Sequence, residues 1–221
     1  MTKPKVIFLD AVGTIFGVKG SVGEVYSAIA RDFGVTVAAP TVNRAFSQSF
    51  KAAKPPAFPG AALSDIPSLE FQWWETIART TFDVAGVLDQ FSNFRVFFNE
   101  LYSHFAGGEP WHIYPDVLPA LESWQAKGIE LGVISNFDTR LHTILEILQL
   151  RQFFSTVTIS STLGAAKPSG KIFLAALEKH HCLPEQAWHI GDSLKEDYYA
   201  AKAVGIRPFL VERFEEERKK S

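Results

Sequence analysis

The first clear signal along the chain is an unbroken apolar run, Val6-Ile7-Phe8-Leu9, that stops on a single carboxylate, Asp10. A short continuous apolar run bounded by turn residues reads as a strand of a parallel sheet, buried on both faces. Gly13-Thr14 supply the turn. The pattern then lengthens to a helical period. Ser21 and Glu24 stand at capping-box spacing, which predicts a helix from near Ser21 to about Phe33, with Val25, Ile29 and Phe33 on one face. Thr41–Ala53, Ser68–Phe82 and about Leu88–Phe105 carry the same period. Four prolines in 54–67 predict a loop or a pair of turns. No alternating strand pattern interrupts 34–112, so the stretch reads as a bundle of roughly four helices.

The pattern changes again at Tyr114-Pro115-Asp116. Asp116 can cap a helix that runs to Lys127, with Gly128 at its end. Strands are predicted at 129–134, 156–160, 187–190 and 206–211. Helices fall between them: one capped by Asp138, one opened by Lys167-Pro168 and running to about His180, and one over Glu196–Val204. Strands alternating with helices predict an α/β class with a parallel sheet. The chain therefore divides into a core of 1–16 plus 113–221 and a helical insert of 17–112. The tail 212–221 is mostly charged and reads as a solvated end.

Composition adds little beyond exclusions. A formal charge of −2 argues against nucleic acid and anionic membrane as partners. Cys182 is the one cysteine, which excludes an internal disulfide and suits a reducing compartment. No apolar stretch reaches bilayer length, and the N-terminus does not read as a secretory signal. The expectation is a soluble cytoplasmic protein.

The predicted strand ends carry the chemistry. Asp10, Ser135-Asn136, Lys167, and Asp192 with Asp197 all fall at carboxyl ends of strands, where open α/β sheets bind ligands. Asp10 is a candidate nucleophile toward phosphorus. Asp10 and Asp192 are hard oxygen donors suited to Mg²⁺. Lys167 can offset phosphate charge, while Ser135 and backbone N–H groups near Val12 and Asn136 can hold phosphate oxygens. Asp197, one turn into the next element, can orient a metal-bound water or Lys167. Asn136 can hold the nucleophile's loop.

Other residues have plainer roles. His180-His181 suit the negative end of a helix better than a metal. Trp73 and Trp74 can be bundle core or pocket wall, His189 a hydrogen-bonded core residue, and Arg140 a partner of phosphate or of solvent.

Phe8-Leu9-Asp10-Ala11-Val12-Gly13-Thr14, Val133-Ile134-Ser135-Asn136, Lys167-Pro168 and Gly191-Asp192-Ser193 through Asp197 resemble, in order, the four motifs of the haloacid dehalogenase superfamily. Phe71-Gln72-Trp73-Trp74 and Ile134-Ser135-Asn136-Phe137-Asp138 also resemble its subfamily called haloacid dehalogenase-like hydrolase domain-containing protein three. The resemblance implies a Rossmann-like core with an inserted α-helical cap. It implies Asp10 as nucleophile, Ser135 and Lys167 on the phosphate, and Asp10, the Val12 carbonyl and Asp192 on Mg²⁺.

One position departs from that pattern. Phosphatases of the superfamily usually carry a second aspartate two residues after the nucleophile, and here that residue is Val12. Valine transfers no proton, and losing a general acid or base costs about 10²–10⁴ in rate. Three readings follow. The first is a Mg²⁺-dependent phosphatase of a small phosphorylated molecule with weakened turnover. The second is a regulatory protein that binds phosphate and metal without catalysis. The third is a 2-haloacid dehalogenase.

Overall fold

The computed structural model describes residues 3–213. In chain order the elements are β1 (Val6–Leu9), β2 (Phe16–Val18), α1 (Val22–Asp32), α2 (Ala39–Ala52), α3 (Ile66–Val84), α4 (Phe94–His104) and β3 (Trp111–Ile113). There follow α5 (Val117–Ala126), β4 (Glu130–Ser135), α6 (Arg140–Ile147), β5 (Thr156–Ile159), α7 (Ser160–Leu163), α8 (Gly170–Lys179) and β6 (Ala187–Gly191). A π-helical turn, Leu194–Tyr199, runs into α9 (Ala200–Ala203), and β7 (Arg207–Leu210) ends the series.

The sheet runs β5-β4-β1-β6-β7, and every neighbouring pair is parallel. The apolar run at the start of the chain is thus the central strand. Its alternate side chains serve two cores. Val6 and Phe8 pack with Ile172, Phe173 and Ala176 of α8, while Ile7 and Leu9 pack with Leu121, Leu131 and Leu145 on the opposite face. Because both faces are covered by helices, the strand has no need of polar alternation. The same order sets the carboxyl ends of β4 and β6 on either side of Asp10.

The four helices α1 to α4 lie between β2 and β3 and share their own core, which includes Tyr26, Phe82, Phe97 and Phe98. The capping box at the start of α1 forms as its spacing predicts: Ser21 Oγ accepts from Glu24 N at 3.2 Å, and Glu24 Oε2 accepts from Ser21 N at 3.2 Å. The helix expected over 88–105 is interrupted. A short 3₁₀ turn, Leu88–Gln90, comes first, and Asn93 then caps α4 by accepting from Val96 N at 3.2 Å.

The two crossings between bundle and sheet lie side by side. Phe16–Val18 and Trp111–Ile113 pair as an antiparallel ribbon. Asp116 does not cap α5 with its side chain; the carboxylate instead accepts from Arg213 Nη1 at 2.5 Å. After Lys167-Pro168 the helix starts later than expected, at Gly170, with Ser169 as its cap. His180 lies between Glu130 and Thr156, with Nδ1 2.6 Å from the Glu130 carboxylate and Nε2 2.7 Å from the Thr156 hydroxyl. No helix among the described residues is long and apolar enough to cross a membrane. Residues 214–221 of the charged tail lie outside the described residues.

Candidate active site

Asp10 continues the β1 ladder by one step, its N–H donating to Ile190 O of β6 at 2.9 Å. The chain then folds back on itself. Ala11 O accepts from Thr14 N at 3.2 Å and from Ile15 N at 2.8 Å. Gly13 sits in this turn at φ +86°, and a Cβ there would strike the Asp192 carboxylate. Only glycine satisfies both demands. The glycine that supplies the turn thus also seats Asp192 against the nucleophile's loop.

Lys167 comes from the segment after β5. Its buried ammonium donates to Asp10 Oδ1 at 2.7 Å and to Asp197 Oδ1 at 2.6 Å. Asn136, just after β4, grips the backbone of this lysine at two points. Its Oδ1 accepts from Lys167 N at 2.7 Å, and its Nδ2 donates to Lys167 O at 2.9 Å. The hold expected on the nucleophile's loop is therefore a hold on the lysine's loop. The same Nδ2 donates to Glu196 Oε2 at 3.1 Å. Asp197 is fixed from three sides, by Lys167, by His189 Nε2 at 2.9 Å and by Ser193 N at 3.0 Å. Gly191 makes room for it, since a Cβ there would meet its carboxylate.

The charges are set by burial first and by neighbours second. Burial pushes the Asp10 carboxyl above the ordinary range, although Lys167 pulls the other way. Burial pushes the Asp192 carboxyl up to about 6, and the charges of Asp10 and Asp197 add to the push. For Asp197, burial raises and Lys167 and His189 lower; the partners win, and the group lies well below the usual carboxylate range. Burial lowers His189, so its neutral ring donates Nε2–H to Asp197. For Lys167, burial lowers, but Asp10 and Asp197 outweigh it and hold the ammonium charged.

Oxygens of Asp10, Asp192 and Asp197 lie within 4.8 Å of one another. Lys167 is the only ammonium bonded into that group among the described residues. Converging carboxylates with one compensating cation form a hard-oxygen donor set that suits a divalent ion. Asp197 is already engaged by Lys167, His189 and Ser193, which leaves Asp10 and Asp192 as the carboxylates to hold one.

A cavity of about 340 Å³ opens above this cluster. Asp10, Val12, Ser135, Asn136, Lys167, Asp192 and Asp197 all line it, so every candidate site residue of the sequence meets in one place. Its other half is supplied by the helical bundle and is aromatic and aliphatic. Trp74 belongs to that wall, whereas Trp73 donates its Nε1–H to Lys54 O at 2.8 Å.

Arg140 lines the cavity too, and its guanidinium is bonded within the protein. Its Nε and Nη2 donate to Asp138 at 2.9 and 2.6 Å, and its Nη1 donates to Tyr102 O at 3.1 Å. The sequence holds no sign of this knot, nor of Glu196 as a wall residue. Asp138 and Arg140 are only two residues apart, but their bundle partners are far away in the chain. The knot is part of a polar seam between bundle and sheet. In the same seam Glu70 accepts from Thr139 N and Oγ1 at 2.9 and 2.5 Å, and Ser160 Oγ donates to Pro56 O at 2.7 Å.

A family model described as a haloacid dehalogenase-like hydrolase matches residues 4–205. The mouse (Mus musculus) haloacid dehalogenase-like hydrolase domain-containing protein 3 is 37% identical over 202 residues, covering 91% of this chain and 79% of that protein. Two solved structures share the fold. An HAD phosphatase from Thermococcus onnurineus has a TM-score of 0.62 at 23% identity, over 98% of this chain and 90% of its own. A 2-haloacid dehalogenase from Pseudomonas syringae has a TM-score of 0.62 at 22% identity, over 97% and 91%. One fold thus carries both chemistries, and the choice between them rests on the site.

Proposed function

The chain belongs to the haloacid dehalogenase-like hydrolase family, and from that membership we propose that it hydrolyses a small phosphate monoester through an aspartyl-phosphate at Asp10, with Mg²⁺ as cofactor. The observation that carries this reading is the Lys167 ammonium, shared between Asp10 and Asp197 beside Asp192. A nucleophilic carboxylate approaching a phosphate brings like charges together, and the buried ammonium is placed to offset them.

Ser135, Lys167 and the backbone N–H of Asn136 receive the phosphate oxygens. One Asp10 oxygen attacks phosphorus. The bond from phosphorus to the ester oxygen breaks, and its electron pair leaves with that oxygen. With Val12 in place of an acid, the departing oxygen takes its proton from water. Water next attacks the phosphorus, the bond to Asp10 breaks, and inorganic phosphate leaves with the carboxylate restored. Asp10, Asp192 and the Val12 carbonyl would hold Mg²⁺, which would supply positive charge against the phosphoryl oxygens. Asp197 positions Lys167, and His189 positions Asp197.

Val12 and the apolar wall also suit a dehalogenase, in which Asp10 would displace halide and no acid is needed. One feature counts against that reading: a metal-binding carboxylate at Asp192 has no evident role in halide displacement.

The test is phosphate release from a panel of monoesters in Mg²⁺, beside halide release from 2-haloacids without metal. The expected result is phosphate release that both EDTA and Asp10→Asn abolish. Metal-independent halide release without phosphate release would overturn the reading. Mg²⁺-dependent phosphate binding without turnover would favour the regulatory reading instead.

A further inference from the structure

Two independent features of the cavity point to the alcohol that leaves, and this step rests on the phosphatase reading above. We propose that the substrate is a phosphate ester of a flat apolar alcohol, a phenol of one or two rings, with the ring seated against the bundle wall.

The first feature is the wall. Phe46, Phe50, Trp74, Phe98, Tyr102 and Phe105 face the space above Asp10. Apolar ring surface dominates this wall, and its strongest polar groups are already paired within the protein. The Trp74 indole N–H is given to Asp138 at 2.5 Å. Three of the five guanidinium N–H groups of Arg140 donate to Asp138 or to Tyr102 O. Burial raises the Tyr102 phenol to about 12 and raises that of Tyr26 as well, so both stay neutral. A sugar, a second phosphate or a carboxylate placed here would lose its water and find few partners in return. An aromatic ring loses nothing and gains stacking and edge contacts with the wall. The volume, about 340 Å³, lies at the small end of ligand pockets and suits one or two rings.

The second feature is Val12. Without a proton donor at that position, attack by Asp10 is far faster when the departing oxygen is stable as an anion. A phenolate is, and an alkoxide is not. When the P–O bond breaks, the electron pair stays on the phenolate oxygen, which is protonated by water afterwards. The wall and the missing acid therefore select the same class of ester.

The experiment measures binding, so that it does not depend on turnover. Tryptophan fluorescence, from Trp74 and Trp111 in the cavity wall, reports titration of the protein in Mg²⁺ with naphthylmethylphosphonate, methylphosphonate and inorganic phosphate. The expected result is that the aryl phosphonate binds at least about tenfold more tightly than methylphosphonate, from burial of its rings. Phe50→Asn should shrink that ratio, and Phe50 is 41% exposed, so the change is compatible with folding. Equal affinities for the two phosphonates, with phosphate binding in Mg²⁺ intact, would overturn this proposal and leave the phosphatase reading standing. Failure of all three to bind in Mg²⁺ would overturn both.

Discussion

Trp74, on the longest helix of the bundle, donates its indole N–H to the Asp138 carboxylate beside the sheet at 2.5 Å, 64 residues away in sequence. The same carboxylate takes Arg140 N at 3.0 Å and two guanidinium nitrogens. Asp138 thus joins the lid of the cavity to its rim. Removing it strands a guanidinium that is only 11% exposed. Asp138→Ala should cost about 3–5 kcal/mol of stability, the usual result of breaking a buried pair on one side. Trp74→Phe keeps the ring and loses one bond to a charged acceptor, so it should cost about 1.5–3 kcal/mol. Urea unfolding of both variants checks the order. Equal costs would mean that the pairing with Arg140 contributes little.

Asp192 offers a cleaner test of the metal reading than the nucleophile does. It lies among like charges, so Asp192→Asn should raise the melting temperature of metal-free protein. The same change replaces a charged donor by a neutral amide, so it should sharply reduce the rise in melting temperature that Mg²⁺ gives wild type. That rise corresponds to about 2.7 kcal/mol when the ion is at a hundred times its dissociation constant. A Mg²⁺ response that survives Asp192→Asn undiminished would remove this residue from the metal site.

Val12 should govern leaving-group dependence. In wild type, turnover of phosphate esters should fall steeply as the pKa of the leaving alcohol rises, because nothing protonates the departing oxygen. Val12→Asp places a carboxyl where that oxygen leaves. Alkyl phosphate turnover should rise by about 10²-fold or more, with a much smaller gain for aryl esters. Steady-state rates on a graded series of esters, with Asp10→Asn as background, give both slopes. An unchanged slope in Val12→Asp would show that the proton comes from elsewhere in the site.

Much of this site is legible in the amino-acid sequence, for a physical reason. A central parallel strand must be apolar on both faces, so a carboxylate that ends one stands out, and the partners of Asp10 recur at the ends of the neighbouring strands. What the sequence hides is non-local. The ribbon of Phe16–Val18 and Trp111–Ile113 has strands of three residues each, too short to show a period. The Asp116 carboxylate has a good local role as a cap, but a distant arginine takes it. Asn136 grips Lys167, 31 residues away, through backbone atoms that carry no sequence signal. The knot of Asp138, Arg140 and Trp74 is complete only when the bundle is docked on the sheet.

Glu70 gives the seam a pH dependence of its own. Burial pushes its carboxyl above the ordinary range, the bonds from Thr139 pull it down, and the charge of Asp138 adds to the push. Because the net shift is upward, the native state holds this proton more tightly than the unfolded chain does. Above the ordinary carboxyl pKa the unfolded chain has lost the proton while the native state still keeps part of it, so stability falls as pH rises through that window. Glu70→Gln is neutral throughout, and its amide can still accept from Thr139 N. Wild type should therefore lose stability relative to Glu70→Gln as pH rises through and above the ordinary carboxyl range. Urea unfolding of the two proteins across that range provides the measurement. A constant difference would mean that Thr139 stabilises the charged form enough to cancel the cost of burial.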